Sequence, residues 1–308
     1  FKIREFKLFK KQLKNYFPKK TIFSKSTSSK NFEIKIDQTI NEDASFYELL
    51  IGQEFIVLKG GKKGVFYGLQ TLFQLIVLNY DSISNSIRLP CLEIKDQNSF
   101  EHRGFLMDCC RHFFSVKTIK KYIDLLALYK MNVLHWHLTE DQGWRIEIDK
   151  YPKLNTVGSW REDSTGKYGG FYTKKEIREI VKYAKERYIE VIPEIELPGH
   201  SQAAIASYPF LSCESKQIQV ANSWGVFKDI YCAGNDSVFI FLEDVFQEIN
   251  ELFPSSRIHI GGDETPKFRW ENCEKCQKRM AQENLKDEHE LQSYFIERIA
   301  KDLEKKNK

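Results

Sequence analysis

From residue 103 onward, short apolar runs alternate with longer amphipathic stretches, and this alternation restricts the fold more than any other feature of the chain. Residues 104–109, 133–138, 189–195 and 258–261 read as strands. Residues 116–129, 174–187, 238–252 and 286–306 read as helices, the last with Leu291, Phe295, Ile299 and Leu303 at spacings of four. Continuous apolar strands separated by helices predict parallel β/α units, because a strand buried on both faces has no polar side to show. Four such units fill 103–308, whereas a closed (β/α)8 barrel needs eight units and typically about 250 residues. The expected fold class is therefore α/β, a TIM barrel of which about four β/α units are present.

The residues before this region follow a different rhythm and predict a small α/β domain over 1–98, with the barrel occupying 99–308. Residues 32–36 alternate apolar and polar, as a half-buried strand does. Tyr47–Ile51 and 54–59 flank a turn at Gly52 and suggest a hairpin. Residues 63–78 carry Val65, Leu69, Leu72 and Leu75 on one helical stripe. Pro90 and the polar run 95–99 mark the boundary between the domains.

Charge is unevenly placed. The 308 residues carry a formal +4, yet residues 1–30 alone hold ten basic side chains against the single acid Glu5. The remainder is net negative. A nucleic-acid surface needs its basic charge on a folded face, so the expected reading is a solvated N-terminal segment, with 24–30 (SKSTSSK) as a loop or linker. A 42% hydrophobic content excludes disorder. No run of about 18 apolar residues predicts a membrane span. No secretory core follows Phe1, which suggests a removed leader or a fragment.

Seven cysteines cannot all pair with one another: Cys91, Cys109, Cys110, Cys213, Cys232, Cys273 and Cys276. Cys273 and Cys276 form one CxxC with no second pair at zinc-finger spacing, so the expectation is no metal, and either a disulfide or two free thiols. Cys213 and Cys232 flank one loop and could bridge it. Asn235-Asp236-Ser237 matches the short glycosylation pattern.

The polar residues gather at the strand ends. The first strand ends in Asp108 and runs to Arg111; the second ends in His135 to Asp141. The third ends in Glu194 to His200, the fourth in Gly261-Gly262-Asp263-Glu264. In a parallel barrel the C-terminal strand ends share the face that carries the active site. Asp263 and Glu264 are the most informative pair. Neighbouring residues at a strand end project in different directions, so two carboxylates can reach one site from two angles. Like charges push their pKa values apart, leaving one group as an acid and one ionised. That is the pattern for breaking a glycosidic bond. An acid pair holding a metal with His200 and Asp141 is the alternative. Trp136, Trp144, Trp160, Trp224 and Trp270 all lie in the barrel region, where aromatic faces can stack on sugar rings or pack the core.

These clusters carry a resemblance. RGFLMDCCRHF at 103–113, HWHLTEDQGWR at 135–145, PEIELPGH at 193–200 and HIGGDE at 259–264 resemble glycoside hydrolase family 20, the β-N-acetylhexosaminidases. GVFYGLQTLFQL at 64–75 looks like the helix of that family's small N-terminal α/β domain. The resemblance implies an exo-acting enzyme that removes terminal β-linked N-acetylglucosamine or N-acetylgalactosamine from glycans or chito-oligosaccharides. Catalysis would be retaining and substrate-assisted: the sugar's own acetamido oxygen attacks the anomeric carbon, and no cofactor is needed. Glu264 would be the general acid and later the base. Asp263 would orient the acetamido N–H and stabilise the developing positive charge. Arg111 would hold sugar hydroxyls, with an ion pair to Asp108 as its structural alternative. Asp141 and His200 would support the acid, and Glu196 would orient the His200 imidazole. Glu140 stands where many relatives have Asp, and His135, His137 and His259 are read as packed or hydrogen-bonded on strands. Further pocket residues of the family would lie beyond Lys308, so the expected barrel is truncated. A non-catalytic sugar-binding or vestigial fragment is the alternative reading. An extracytosolic location, periplasmic, secreted or lysosomal, also follows from the resemblance alone.

Overall fold

The computed structural model describes residues 3–17, 31–37, 39–164 and 166–308. The expected loop at 24–30 lies outside the described residues. The chain divides into two compact units. One comprises Phe1–Arg103 with Ile123–Asn132; the other comprises Gly104–Tyr122 with Val133–Lys308.

The first unit is built on a four-stranded sheet. Strand β1 (Asn31–Ile36) runs parallel to β3 (Phe55–Gly60), β3 pairs antiparallel with β2 (Tyr47–Ile51), and β2 pairs antiparallel with β4 (Leu92–Asp96). The β2–β3 hairpin follows the sequence reading. Strand β4 was not foreseen: its alternation is overlaid on the polar run read as a boundary. Helix α2 (Lys62–Leu78) covers the sheet and buries Val65, Phe66, Leu69, Leu72, Phe73 and Ile76. Full burial of side chains of this size is worth about 1.5–3 kcal/mol each. Lys130 ties this unit together by pairing with Asp96 at 2.7 Å and donating to the Tyr47 hydroxyl at 2.9 Å.

The basic N-terminal segment is not merely solvated. Residues Arg4–Tyr16 form a helix, α1, that packs on α2. Phe6, Phe9 and Leu13 fall on one stripe at helical spacing and are buried, and Tyr16 meets Phe73 edge-on at 5.7 Å. The lysines occupy the opposite face. Net charge concealed an amphipathic period.

The second unit contains the parallel strands. β5 (Gly104–Asp108), β6 (Val133–His137) and β7 (Glu190–Glu194) form one sheet in the order β7-β6-β5, in register from Gly104↔Val133 and Glu190↔Val133. Helix α3 (Val116–Leu128) links the first two strands, and α4 (Lys174–Lys185) precedes the third. Helix α4 starts at a reciprocal capping box between Thr173 and Glu176. Helices α5 (Asp236–Leu252), α6 (Glu274–Glu283) and α7 (Glu288–Lys305) follow. Sequential strands lying side by side in parallel are the topology of a β/α barrel.

The expected fourth strand at 258–261 is reduced to one parallel bridge, Glu194↔His259. His259 N–H donates to the Pro193 carbonyl at 3.0 Å, and Ile195 N–H donates to the His259 carbonyl at 3.0 Å. Extending this ladder backward would require an N–H at residue 193. Proline has none, so the pairing stops. The segment still lies beside β7, which places Asp263 and Glu264 at the same end as the other strand-end clusters.

Candidate active site

Three strand ends converge around His200. The residue sits just past the end of β7 with a left-handed backbone, φ 50°. Its ring is almost wholly buried. Nδ1 is hydrogen-bonded to Glu140 Oε1 at 2.8 Å and lies 3.5 Å from Asp141 Oδ2. Nε2 faces the last strand end, 3.6 Å from Glu264 Oε2 and 3.8 Å from Asp263 Oδ2. Buried acids on one side and solvent-facing acids on the other thus meet across one imidazole.

Asp263 and Glu264 are the open members of the site, with side chains 69% and 56% exposed. Glu264 has φ 43°, a conformation costly for a residue with a Cβ, and such strain persists where the surroundings impose it. Gly261, at φ 66°, makes the turn possible. A Cβ there would overlap the Glu196 carboxylate, so both the backbone angle and the neighbouring acid demand glycine.

Electrostatics separate the buried acids into two kinds. Burial works against ionising Glu140, but bonds from His137 and His200 hold its carboxyl down to about 2. Burial likewise works against charging His200, but Asp141 and Glu140 push it up to about 11. The pair is therefore an ion pair at neutral pH. Glu194 is also held well below its usual range: burial opposes this, and His135, His137 and His259 lie 2.8, 2.9 and 2.8 Å from its oxygens. The three histidines thus face the Glu194 carboxylate rather than Asp263 and Glu264.

Glu196 behaves differently from that reading. Both nitrogens of His200 are already faced by Glu140, Asp141, Asp263 and Glu264. Glu196 instead lies against the Glu194 carboxylate, with Oε2 buried and without a hydrogen-bond partner. Burial and the Glu194 charge raise its pKa to about 8. Four residues of sequence separation suggested a bond to His200, but Glu140 Oε1 holds the His200 Nδ1. Glu140 is the residue that orients the imidazole. Sequence reasoning treated it only as a tolerated variant, and its place beside Asp141 in TED was the available signal.

Asp141 stands close to His200, yet Oδ1 accepts the Gln202 N–H at 2.9 Å. It joins the site to the turn that follows it. Arg111 forms the ion pair with Asp108 at 2.9 Å and approaches Glu140 at 3.4 Å. The guanidinium lies 5.2 Å from the ring centre of Trp224, which is 78% exposed. Arg111, Gln142, Arg161, Asn222 and Trp224 line a small cavity of about 50 Å³. Trp136, Trp144 and Trp270 are core residues, Trp160 is half-buried beneath Lys167, and Trp224 is the largely exposed tryptophan, beside Arg111.

One further expectation is corrected. All seven cysteines are free, so Cys213 and Cys232 do not bridge. Asn235 serves as the N-cap of α5, accepting the Ser237 N–H and donating to the Phe210 carbonyl. No helix among the described residues is long and apolar enough to cross a membrane.

The parallel strands and their polar ends define a β/α-barrel protein with an open carboxylate pair at the C-terminal face. The chain belongs to glycosyl hydrolase family 20: the family's catalytic domain matches residues 100–308 and its domain 2 matches residues 3–97. It is 48% identical over 312 residues to a beta-hexosaminidase of Porphyromonas gingivalis, covering 94% of this chain and 40% of that protein. A beta-hexosaminidase of Akkermansia muciniphila is 38% identical, covering 92% of this chain and 58% of that protein. Among solved structures, the exo β-N-acetylglucosaminidase of Vibrio harveyi with N-acetylglucosamine superposes with a TM-score of 0.86 at 34% identity, over 99% of this chain and 48% of that one. The β-N-acetylhexosaminidase of Bacteroides fragilis gives 0.78 at 38% identity, over 93% and 55%. The chain thus spans about half the length of the relatives it matches.

Proposed function

We propose that the chain carries the acid–base half of an exo-acting β-N-acetylhexosaminidase, with residues 99–308 contributing the first β/α units of the catalytic barrel. The observation that carries this reading is the exposed Asp263–Glu264 pair facing a buried, charged His200–Glu140 pair. The relatives named as beta-hexosaminidases support it. Glu264 delivers the proton to the leaving glycosidic oxygen and then takes one from water. Asp263 receives the acetamido N–H of a terminal N-acetylglucosamine or N-acetylgalactosamine. That hydrogen bond turns the acetamido oxygen toward the anomeric carbon, and the ionised carboxylate stabilises the charge that develops there. The substrate oxygen displaces the leaving group and water later opens the ring it formed, so the configuration is retained.

His200 supports this chemistry from behind. Its ring, held by Glu140, faces both reacting acids from the buried side of the site, 3.8 Å from Asp263 and 3.6 Å from Glu264. Arg111 presents a forked set of donors for sugar hydroxyls, with Trp224 beside it. We infer a glycan or chito-oligosaccharide as the substrate class and an extracytosolic site of action.

The test is Glu264→Gln in the natural gene product, assayed on an aryl N-acetyl-β-glucosaminide with a poor leaving group. Loss of acid catalysis is expected to lower turnover by about 10²–10⁴-fold. Near-normal turnover would overturn the assignment. Sugar binding without hydrolysis in the unaltered protein would favour a binding module instead.

A further inference from the structure

Away from the catalytic acids, four cysteines from three distant segments meet. Cys213 and Cys232 are set side by side by the antiparallel bridge Ser212↔Tyr231. Cys273 caps α6 and Cys276 lies in its first turn. Their sulfurs all lie within 4.8 Å of one another. Cys213 to Cys276 is 3.8 Å, Cys232 to Cys273 is 3.8 Å and Cys232 to Cys276 is 3.7 Å.

These distances discriminate between chemistries. A disulfide brings its sulfurs to about 2.05 Å and selects one partner for each. Here Cys276 is equally near Cys213 and Cys232, and Cys232 is equally near Cys273 and Cys276. A tetrahedron of thiolates around zinc, with Zn–S of about 2.3 Å, has edges of about 3.8 Å. Three of the six sulfur pairs stand at that edge length, and the other three lie within 4.8 Å. Three of the four cysteines are buried and Cys213 is partly so, which leaves no open position for a substrate.

The backbone is shaped around the cluster. A Cβ on Gly234 would overlap the Lys275 carbonyl and the Cys276 nitrogen, so glycine allows the Cys232 loop to lie against the CxxC turn. The Gly234 N–H points at the Cys232 sulfur. The Cys232 N–H donates to Leu211 at 2.8 Å. Lone CxxC spacing had argued against a metal; the second pair is supplied by the fold, 19 residues apart, rather than by a local repeat.

We propose that Cys213, Cys232, Cys273 and Cys276 form a closed tetrathiolate site for a structural zinc ion. Binding exchanges four thiol protons for one Zn²⁺ and leaves a net charge of −2, with no redox change. The ion would tie the loop between Cys213 and Cys232, which carries Trp224, to the segment that follows Asp263 and Glu264. Trp270 Nε1 donating to the Tyr231 carbonyl at 2.9 Å, and Tyr231 N–H donating to the Pro198 carbonyl at 3.0 Å, extend that tie toward His200.

The experiment is elemental analysis of the natural gene product, purified without added metal and dialysed against a non-chelating buffer. About one zinc per chain is expected. Cys232→Ser with Cys276→Ser should lower zinc at least tenfold, and Cys91→Ser, at an exposed cysteine outside the cluster, should leave it unchanged. Because the double variant could fail to fold, the unaltered protein is also denatured with a chelator, without reductant, and alkylated. Alkylation of Cys213, Cys232, Cys273 and Cys276, located by peptide mass mapping, together with stoichiometric zinc supports the site. Those four positions protected from alkylation, with no zinc, would show two disulfides and overturn it. All four alkylated without zinc, or stoichiometric iron in its place, would overturn it as well.

Discussion

His200 Nδ1 lies 2.8 Å from Glu140 Oε1, and the opposite ring nitrogen lies 3.6 Å from Glu264 Oε2. One buried ion pair therefore stands directly behind the proposed acid. Removing one partner of a buried pair strands the other, at a cost of about 3–5 kcal/mol. Glu140→Ala should accordingly lower the chemical-denaturation midpoint strongly, while Glu140→Asp, which keeps the charge, should recover much of it. An unchanged midpoint in Glu140→Ala would show that the pair does not hold the site.

Stability should fall with rising pH above the acidic range. Glu196 titrates near 4.5 when unfolded and about 8 when folded. Between those values the folded state holds a proton that the unfolded state has released, so unfolding is favoured as pH rises. His200, raised from 6.5 to about 11, adds a loss of the same sign above pH 6.5. Glu140, lowered to about 2, contributes stability that disappears only as pH falls from 4.5 toward 2. Thermal melts should therefore show a maximum on the acidic side of neutral. Glu196→Gln should flatten the decline between about pH 4.5 and 8. A decline of undiminished slope in that variant would contradict the assignment.

Gly261→Ala should damage both fold and site. The new methyl group meets the Glu196 carboxylate, and φ 66° is unfavourable for alanine. Backbone strain of this kind costs about 1–3 kcal/mol, and the displaced turn carries Asp263 and Glu264. A variant as stable and as active as the parent would show that the turn tolerates a Cβ.

Trp224→Ala tests the ligand side. The ring is largely exposed and contacts Arg111 through its face, an interaction worth about 0.5–1 kcal/mol. Weakened substrate binding by a few fold with an unaltered melting temperature is expected. A lowered melting temperature with unchanged KM would assign Trp224 to packing.

The parallel β/α order was legible because the apolar runs at 104–108 and 133–137 have strand length and sit between helical periods. Asp263, Glu264, Arg111 and His200 were legible because strand ends of such sheets share a face. Glu140 was missed because His200 lies 60 residues away, and nearness in sequence favoured Glu196. The four cysteines were missed for the same reason: no local spacing encodes a contact made by a loop crossing onto a helix. Helix α1 was missed because ten basic residues drew attention from Phe6, Phe9 and Leu13. Proline 193 shortened the fourth strand by removing one donor, which apolar patterning does not register.

In the proposed mechanism the substrate's acetamido group, positioned by Asp263, performs the displacement. The most direct measurement compares kcat/KM of the natural gene product for an aryl N-acetyl-β-glucosaminide with that for the matching β-glucoside, which lacks the acetamido group. A preference of several orders of magnitude is expected, since well-oriented intramolecular groups reach effective molarities of about 10⁵–10⁸ M. Comparable rates on the two substrates would contradict it.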